Sequence, residues 1–200
     1  MTNTLEPSEV GETIDLVGLG AVIVRPMQAD DANALLRFHH RLSDTSIRRR
    51  YFYAHADLRP EEVAHLTQVD GIDRVALVVK SAGELIAVGR YDRLDDPTQA
   101  EVAFVVADAF QHHGLATILL QRLADAAKSV GVTHLIAEVM AENGTMLSVF
   151  HAAGFPIESK SELGAIELRM ALTPSGEAPI TAQGGAAQSS FVPLLRQTDE

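Results

Sequence analysis

Between residues 101 and 130 the hydrophobic period changes once, and that change limits the possible folds more than any other feature. Glu101 to Val106 reads EVAFVV, a short β-branched and aromatic run of strand length. From Gly114 to Val130, Leu115, Ile118, Leu119, Leu123, Ala126, Ala127 and Val130 recur on one helical face. Gly131 then ends the helix. A buried strand that runs through a loop into an amphipathic helix belongs to an α/β sheet with helices packed on its faces.

The flanking segments extend this pattern. Ala21 to Val24 is a strand stopped by Pro26, and Asp30 is the expected N-cap of a helix carrying Ala34, Leu35 and Phe38. Ser43 to Tyr53 and the segment opening Pro60-Glu61-Glu62 read as two more helices, the latter with proline and acids in its first turn. Val75 to Val79 and Leu85 to Tyr91 form a hairpin around Ala82-Gly83-Glu84, and Asp95-Asp96-Pro97 turns the chain into Glu101 to Val106. His134 to Met140 is a strand, Thr145 to Ala153 a helix closed by Gly154, and Ile166 to Leu172 a last strand. The expected fold is a mixed central sheet flanked by helices. Residues 1–18 are expected to be an arm, residues 19–172 the domain, and residues 173–200, rich in Pro, Gly, Ser, Gln and Ala, a disordered tail.

Composition excludes several classes of function. The 200 residues contain no cysteine, so thiolate nucleophiles, disulfides and cysteine metal sites are ruled out. No apolar run reaches transmembrane length, and the acidic N-terminus lacks the basic start and apolar stretch of a secretory signal, so a cytoplasmic address is expected. The net charge is −11, and only Arg48, Arg49 and Arg50 form a basic run, which argues against nucleic acid as the main ligand. The pairs His39-His40 and His112-His113 suit a single metal ion poorly, because helical neighbours point about 100° apart; no metal is expected. Gly18-Leu19-Gly20 is half of a dinucleotide fingerprint without the third glycine or the following helix.

The loop Gln111-His112-His113-Gly114-Leu115-Ala116 precedes a helix start, where unpaired N–H groups and a partial positive charge favour an anion. Gly114 and the small Ala116 let a bulky phosphate approach the backbone. A hexapeptide Q-x-x-G-x-A is weak alone. Between a VAFVV strand and an amphipathic helix it resembles the acetyl-CoA motif of the GCN5-related N-acetyltransferases, written Q/R-x-x-G-x-G/A. Asn143 and the helix ending Ala152-Ala153-Gly154-Phe155 resemble that family's next block. Leu42-Ser43, Ser46 to Phe52, Asp70, Asp73 to Val78, Ala87 to Tyr91 and Ala100 to Val106 are similar to a subgroup of bacterial protein-lysine acetyltransferases, often fused to acyl-CoA synthetase-like or regulatory domains.

The resemblance implies acetyl-CoA as cosubstrate and a primary amine as acceptor, a protein lysine in this subgroup, with an acyl-CoA synthetase as one expected partner. It implies Glu101 as general base, against a competing reading as a solvated strand-edge residue. Phe104, Val105 and Val106 would hold the pantetheine amides through their backbone, and Gln111, His112, His113, Gly114, Leu115, Ala116 and Thr117 would hold the pyrophosphate. Asn143 is either a contact for the CoA arm or a helix cap. His112 and His113 depart from the frequent glycine and basic residue at those positions. Phe150 stands where many members place a tyrosine that protonates the leaving thiolate, and phenylalanine has no proton to give. Arg48 to Arg50 read either as a solvated helix face or as a contact for the acceptor or an adenosine phosphate. Two other functions fit the same residues: acetylation of a small-molecule amine, and non-catalytic sensing of acetyl-CoA.

Overall fold

The computed structural model describes residues 11–52 and 57–172. The expected tail lies outside the described residues. Eight strands form one sheet in the order β1-β2-β3-β4-β5-β6-β8-β7. They are β1 (Glu12–Leu16), β2 (Gly20–Pro26), β3 (Arg74–Ser81), β4 (Glu84–Arg93), β5 (Gln99–Val106), β6 (His134–Met140), β7 (Ile157–Glu162) and β8 (Ala165–Ala171). The helices are α1 (Ala32–His40), α2 (Asp44–Tyr51), α3 (Pro60–Thr67), α4 (Leu115–Ser129) and α5 (Gly144–Ala152). Neighbouring strands run antiparallel except β5 and β6, which run parallel. That one parallel pair follows from the crossover through α4, since a tight turn cannot join parallel strands.

Each face of the sheet has its own core. On one side the α4 stripe of Leu115, Leu119, Leu120, Leu123, Ala124 and Ala127 is buried against Val102 and Phe104 of β5 and the neighbouring strands. Each fully buried leucine there stabilises the fold by roughly 1.5–3 kcal/mol. On the other side Leu35, Phe38, Ile47, Tyr51, Val63 and Leu66 of α1 to α3 pack on Ala76, Val78, Val88 and Val105. Strand alternation sends Val102 and Phe104 to the first face, leaving Glu101 and Ala103 to the other.

Three expectations change. Residues 12–16, expected to belong to an arm, are a strand: β1 pairs with β2 from Glu12↔Val24 to Leu16↔Gly20. Arg122 of α4 fastens its start through a two-pronged ion pair to Glu12. Gly18 lies in the hairpin turn between these strands, consistent with discarding a nucleotide-binding role for it. A second unexpected strand, β7, pairs along the whole of β8; of its residues only Ile157 is even half-buried, so it carries no apolar pattern to read. Asp30 is not the helix cap. α1 starts at Ala32 after a 3-10 turn over Ala29–Asp31, and the carboxylate of Asp31 instead takes both guanidinium nitrogens of buried Arg25 at 2.6 and 2.7 Å.

Candidate active site

The site begins where the sheet comes apart. β5 and β6 are in register at Gln99↔His134, Ala100↔Leu135 and Glu101↔Ile136, and the ladder ends there. Yet β5 continues to Val106 and β6 to Met140. Beyond Glu101 the two strands splay, and the backbone groups of β5 that face β6 lose their strand partners. Such groups need other hydrogen-bond partners. An extended ligand carrying amides can supply them, as an added strand would. The splay opens a cleft of about 340 Å³, lined by Phe104, Val105 and Val106 on one strand and Ala137, Glu138 and Val139 on the other.

At one end lies the start of α4. Gly114 is its N-cap, with φ of 81° and no side chain to cap the helix. The first intrahelical bond is Ile118 N–H to the Gly114 carbonyl, 3.1 Å, so the N–H groups of Leu115, Ala116 and Thr117 have no helical acceptor. These residues line the cleft together with Gln111 and His112. A bare helix start facing a cleft favours an anion there. His112 sits at φ of 65°, the left-handed region that glycine enters without strain. The Gln111 side chain braces the loop, donating to the Val106 carbonyl at 3.2 Å and to Ser46 Oγ at 3.1 Å. Asp108 ties the same loop to α2, accepting from the Ser43 N–H and from the hydroxyls of Ser43 and Ser46. His113 is turned away from the cleft: its Nδ1 meets the Gln111 carbonyl at 2.8 Å, and its ring lies beside the β1–β2 turn at Gly18.

At the other end, at the last rung of the β5–β6 ladder, stands Glu101. Its Oε2 is buried and has no hydrogen-bond partner among the described residues. Burial pushes its carboxyl above the usual range. Arg50 opposes that shift, Asp92 adds to it, Arg90 opposes it and Glu138 adds to it. Asp92 is directly opposite Glu101 on β4. Its carboxylate is fully engaged, by Arg90 at 2.6 and 2.7 Å and by Arg74 Nε at 3.3 Å. Arg74 also donates to the His65 carbonyl, and the His65 ring meets Arg90 at 3.4 Å. Burial lowers the His65 imidazole below its ordinary value, helped by Arg90 and Arg74, so the ring is neutral near pH 7. Of the two adjacent carboxylates, Glu101 is therefore the one with a free oxygen.

A family model described as the acetyltransferase (GNAT) family matches residues 43–155, more than half of the chain. The chain belongs to this family. An acetyltransferase of Pseudomonas aeruginosa is 30% identical over 138 residues, 67% of this chain and 74% of the relative. The acetyltransferase Pat of Mycolicibacterium smegmatis is 27% identical over 159 residues, which span 78% of this chain and 47% of that longer protein. The solved GNAT domain of S. lividans PAT superposes with a TM-score of 0.75 at 35% identity, over 82% of this chain and 98% of the other. A more distant GNAT fold, from Salmonella typhimurium, is solved with acetyl-CoA; it aligns with a TM-score of 0.62 at 18% identity, over 80% of this chain and 99% of the other.

Of the residues expected to act as base or to hold CoA, all line the cleft of this GNAT fold except His113. Asn143 is the cap of α5. Its Oδ1 accepts the Met146 N–H at 3.3 Å, and the residue borders the cleft. Phe150 also borders it, buried with its ring 5.8 Å from that of Phe104. The hydroxyl of Ser148 donates to the Gly144 carbonyl and the His151 ring bonds the Leu147 carbonyl; both side chains are exposed, and neither residue lines the cleft. Sequence reading missed His65, Arg90 and Asp92. The signal was two charged residues at i and i+2 inside an otherwise apolar strand, which places both on one face. Of the arginine run, Arg49 and Arg50 line the cleft, while Arg48 faces Glu142 outside it.

Proposed function

We propose that this GNAT enzyme transfers the acetyl group of acetyl-CoA to the amine of a protein lysine by direct attack in a ternary complex, with Glu101 as general base. One observation carries this reading: a buried carboxylate with a free oxygen stands where the strands part, in the same cleft as an uncapped helix start. The splayed strand from Phe104 to Val106 fits the pantetheine amides. The N–H groups from Leu115 to Thr117 fit the pyrophosphate, and Asn143 borders the CoA arm. His112 contributes through its backbone; His113, facing the other way, holds the loop. The Pat names of two relatives support lysine as acceptor, and an acyl-CoA synthetase remains our expected partner. We place the reaction in the cytoplasm, the compartment that holds acetyl-CoA.

The chemistry follows from proton affinities. A lysine ammonium has a pKa near 10.4, so roughly one amine in a few thousand is nucleophilic at pH 7. Glu101 takes the ammonium proton as the nitrogen attacks the thioester carbonyl, and the upward shift of its carboxyl brings it nearer the pH of the reaction. The C–N bond forms, the nitrogen gives its second proton to water, the C–S bond breaks, and the CoA thiolate departs. With Phe150 on α5, that thiolate takes its proton from water. The test is incubation of a bacterial lysate with radiolabelled acetyl-CoA and either wild type or Glu101→Gln. Label in a discrete protein band that the variant loses supports the reading. CoA release only on addition of small amines, with no labelled protein, overturns the lysine assignment. No turnover with acetyl-CoA still bound overturns the enzyme assignment in favour of a sensor.

A further inference from the structure

Two arginines on the cleft wall lack what every other described arginine has. Each of the others lies within 4.0 Å of a carboxylate oxygen. Arg49 and Arg50 have no ion pair among the described residues, in a chain with 27 acidic against 16 basic side chains. They are half-buried on α2, and the Nε of Arg49 is buried with no hydrogen-bond partner. A guanidinium withdrawn from water without a counter-ion is costly, unless a ligand supplies the anion.

The place of Arg50 narrows the choice of anion. Its guanidinium carbon lies 5.1 Å from the centre of the Tyr51 ring, and the residue shares a wall with Arg90 and Ala103 behind the cleft. This is the Glu101 end. From Glu101 to Val106, β5 runs five residues, about 16 Å, before the chain reaches the helix start suited to phosphates. An anion at this end belongs to the acceptor. Glu101 accommodates the ammonium, and Arg50, whose charge acts on Glu101, matches a planar carboxylate, which a guanidinium fork can grip with two hydrogen bonds; Arg49 lines the same cleft one residue away on α2.

We propose that Arg49 and Arg50 select acceptor lysines flanked by an acidic residue, their guanidinium groups binding that residue's carboxylate while Glu101 faces the lysine amine. This rests on the lysine-acetyltransferase reading above. The experiment compares three peptides that differ only beside a single lysine, with glutamate, glutamine or lysine as the flanking residue. Acetylation by the full chain is measured as kcat/KM for wild type, Arg49→Gln, Arg50→Gln and Arg50→Glu. Comparing peptides within one enzyme cancels any change that Arg50 makes to Glu101. Wild type should prefer the glutamate peptide over the glutamine peptide by tenfold or more. Arg49→Gln and Arg50→Gln should bring that ratio within about threefold, and Arg50→Glu should turn the preference toward the lysine flank. Equal use of the peptides by wild type overturns the inference and leaves the lysine reading standing. So does an unchanged peptide ratio in the variants combined with a raised KM for acetyl-CoA, which would assign the arginines to the cosubstrate. Turnover of small amines with no peptide acetylated removes the lysine reading, and this inference with it.

Discussion

Gly114 and Gly131 flank the 15-residue α4, about 25 Å apart at 1.5 Å rise per residue, and together they make a controlled experiment. Their φ angles are 81° and 85°, and a Cβ built on either meets no other atom within 4 Å. Substitution by alanine therefore causes no clash at either site, only the strain of a left-handed backbone, about 1–2 kcal/mol. The smaller entropy of the unfolded alanine chain offsets about 0.4–1 kcal/mol of that. The net loss should be near 1 kcal/mol for both variants, a fall in Tm of about 2–4 °C for a chain of this size. Acetyl-CoA should tell them apart. Only Gly114 borders the cleft, where a methyl group would stand between the backbone and a phosphate. By calorimetry Gly114→Ala should bind acetyl-CoA at least tenfold more weakly, about 1.4 kcal/mol, and Gly131→Ala within about twofold of wild type. Equal affinity in the two variants would refute the phosphate cradle, and an unchanged Tm in both would refute the backbone argument.

Three further predictions concern charge. Burial raises the Glu101 carboxyl, so the acid limb of kcat/KM against pH should lie above the ordinary glutamate value of about 4.3; Arg50→Gln removes an opposing positive charge and should move that limb higher still. Because the folded pKa of Glu101 is raised above its unfolded value, its contribution to stability falls as pH rises between the two. Glu101→Gln should thus melt higher than wild type at pH 7–8, and the gap, followed by thermal unfolding, should close below about pH 4. Asp31→Ala takes from buried Arg25 its two-pronged partner and should destabilise by about 3–5 kcal/mol, read as a shift in the denaturant midpoint with unchanged slope.

The parts legible in the sequence were those whose signal is local. The change of period from β5 to α4 announced the sheet–helix packing, and the loop between them, Gln111 to Gly114, is contiguous, so one reading frame held the anion cradle. β1 and β7 were missed for a physical reason. They are the two edge strands of the sheet, and of their residues only Ile14, Leu16 and Ile157 are even half-buried. Edges are kept polar against unwanted pairing, and so resemble loops. The acceptor end was hidden differently. His65 of α3, Arg90 and Asp92 of β4, Arg50 of α2 and Glu101 of β5 meet only because the β4–β5 register and the packing of α2 and α3 bring them together. The direction of the His113 ring was not legible, because adjacent residues in a loop need not face the same way; the Gln111 carbonyl holds it toward the β1–β2 turn.

The central claim is that Glu101 moves the proton and does not hold the cosubstrate. The most direct measurement is a side-by-side determination of kcat and of the acetyl-CoA Kd for wild type and Glu101→Gln, on one lysine acceptor at one pH. The account predicts that kcat falls by about 10²–10⁴ while Kd stays within about twofold. A Glu101→Gln enzyme that keeps its kcat, or one whose acetyl-CoA affinity collapses together with its rate, would contradict it.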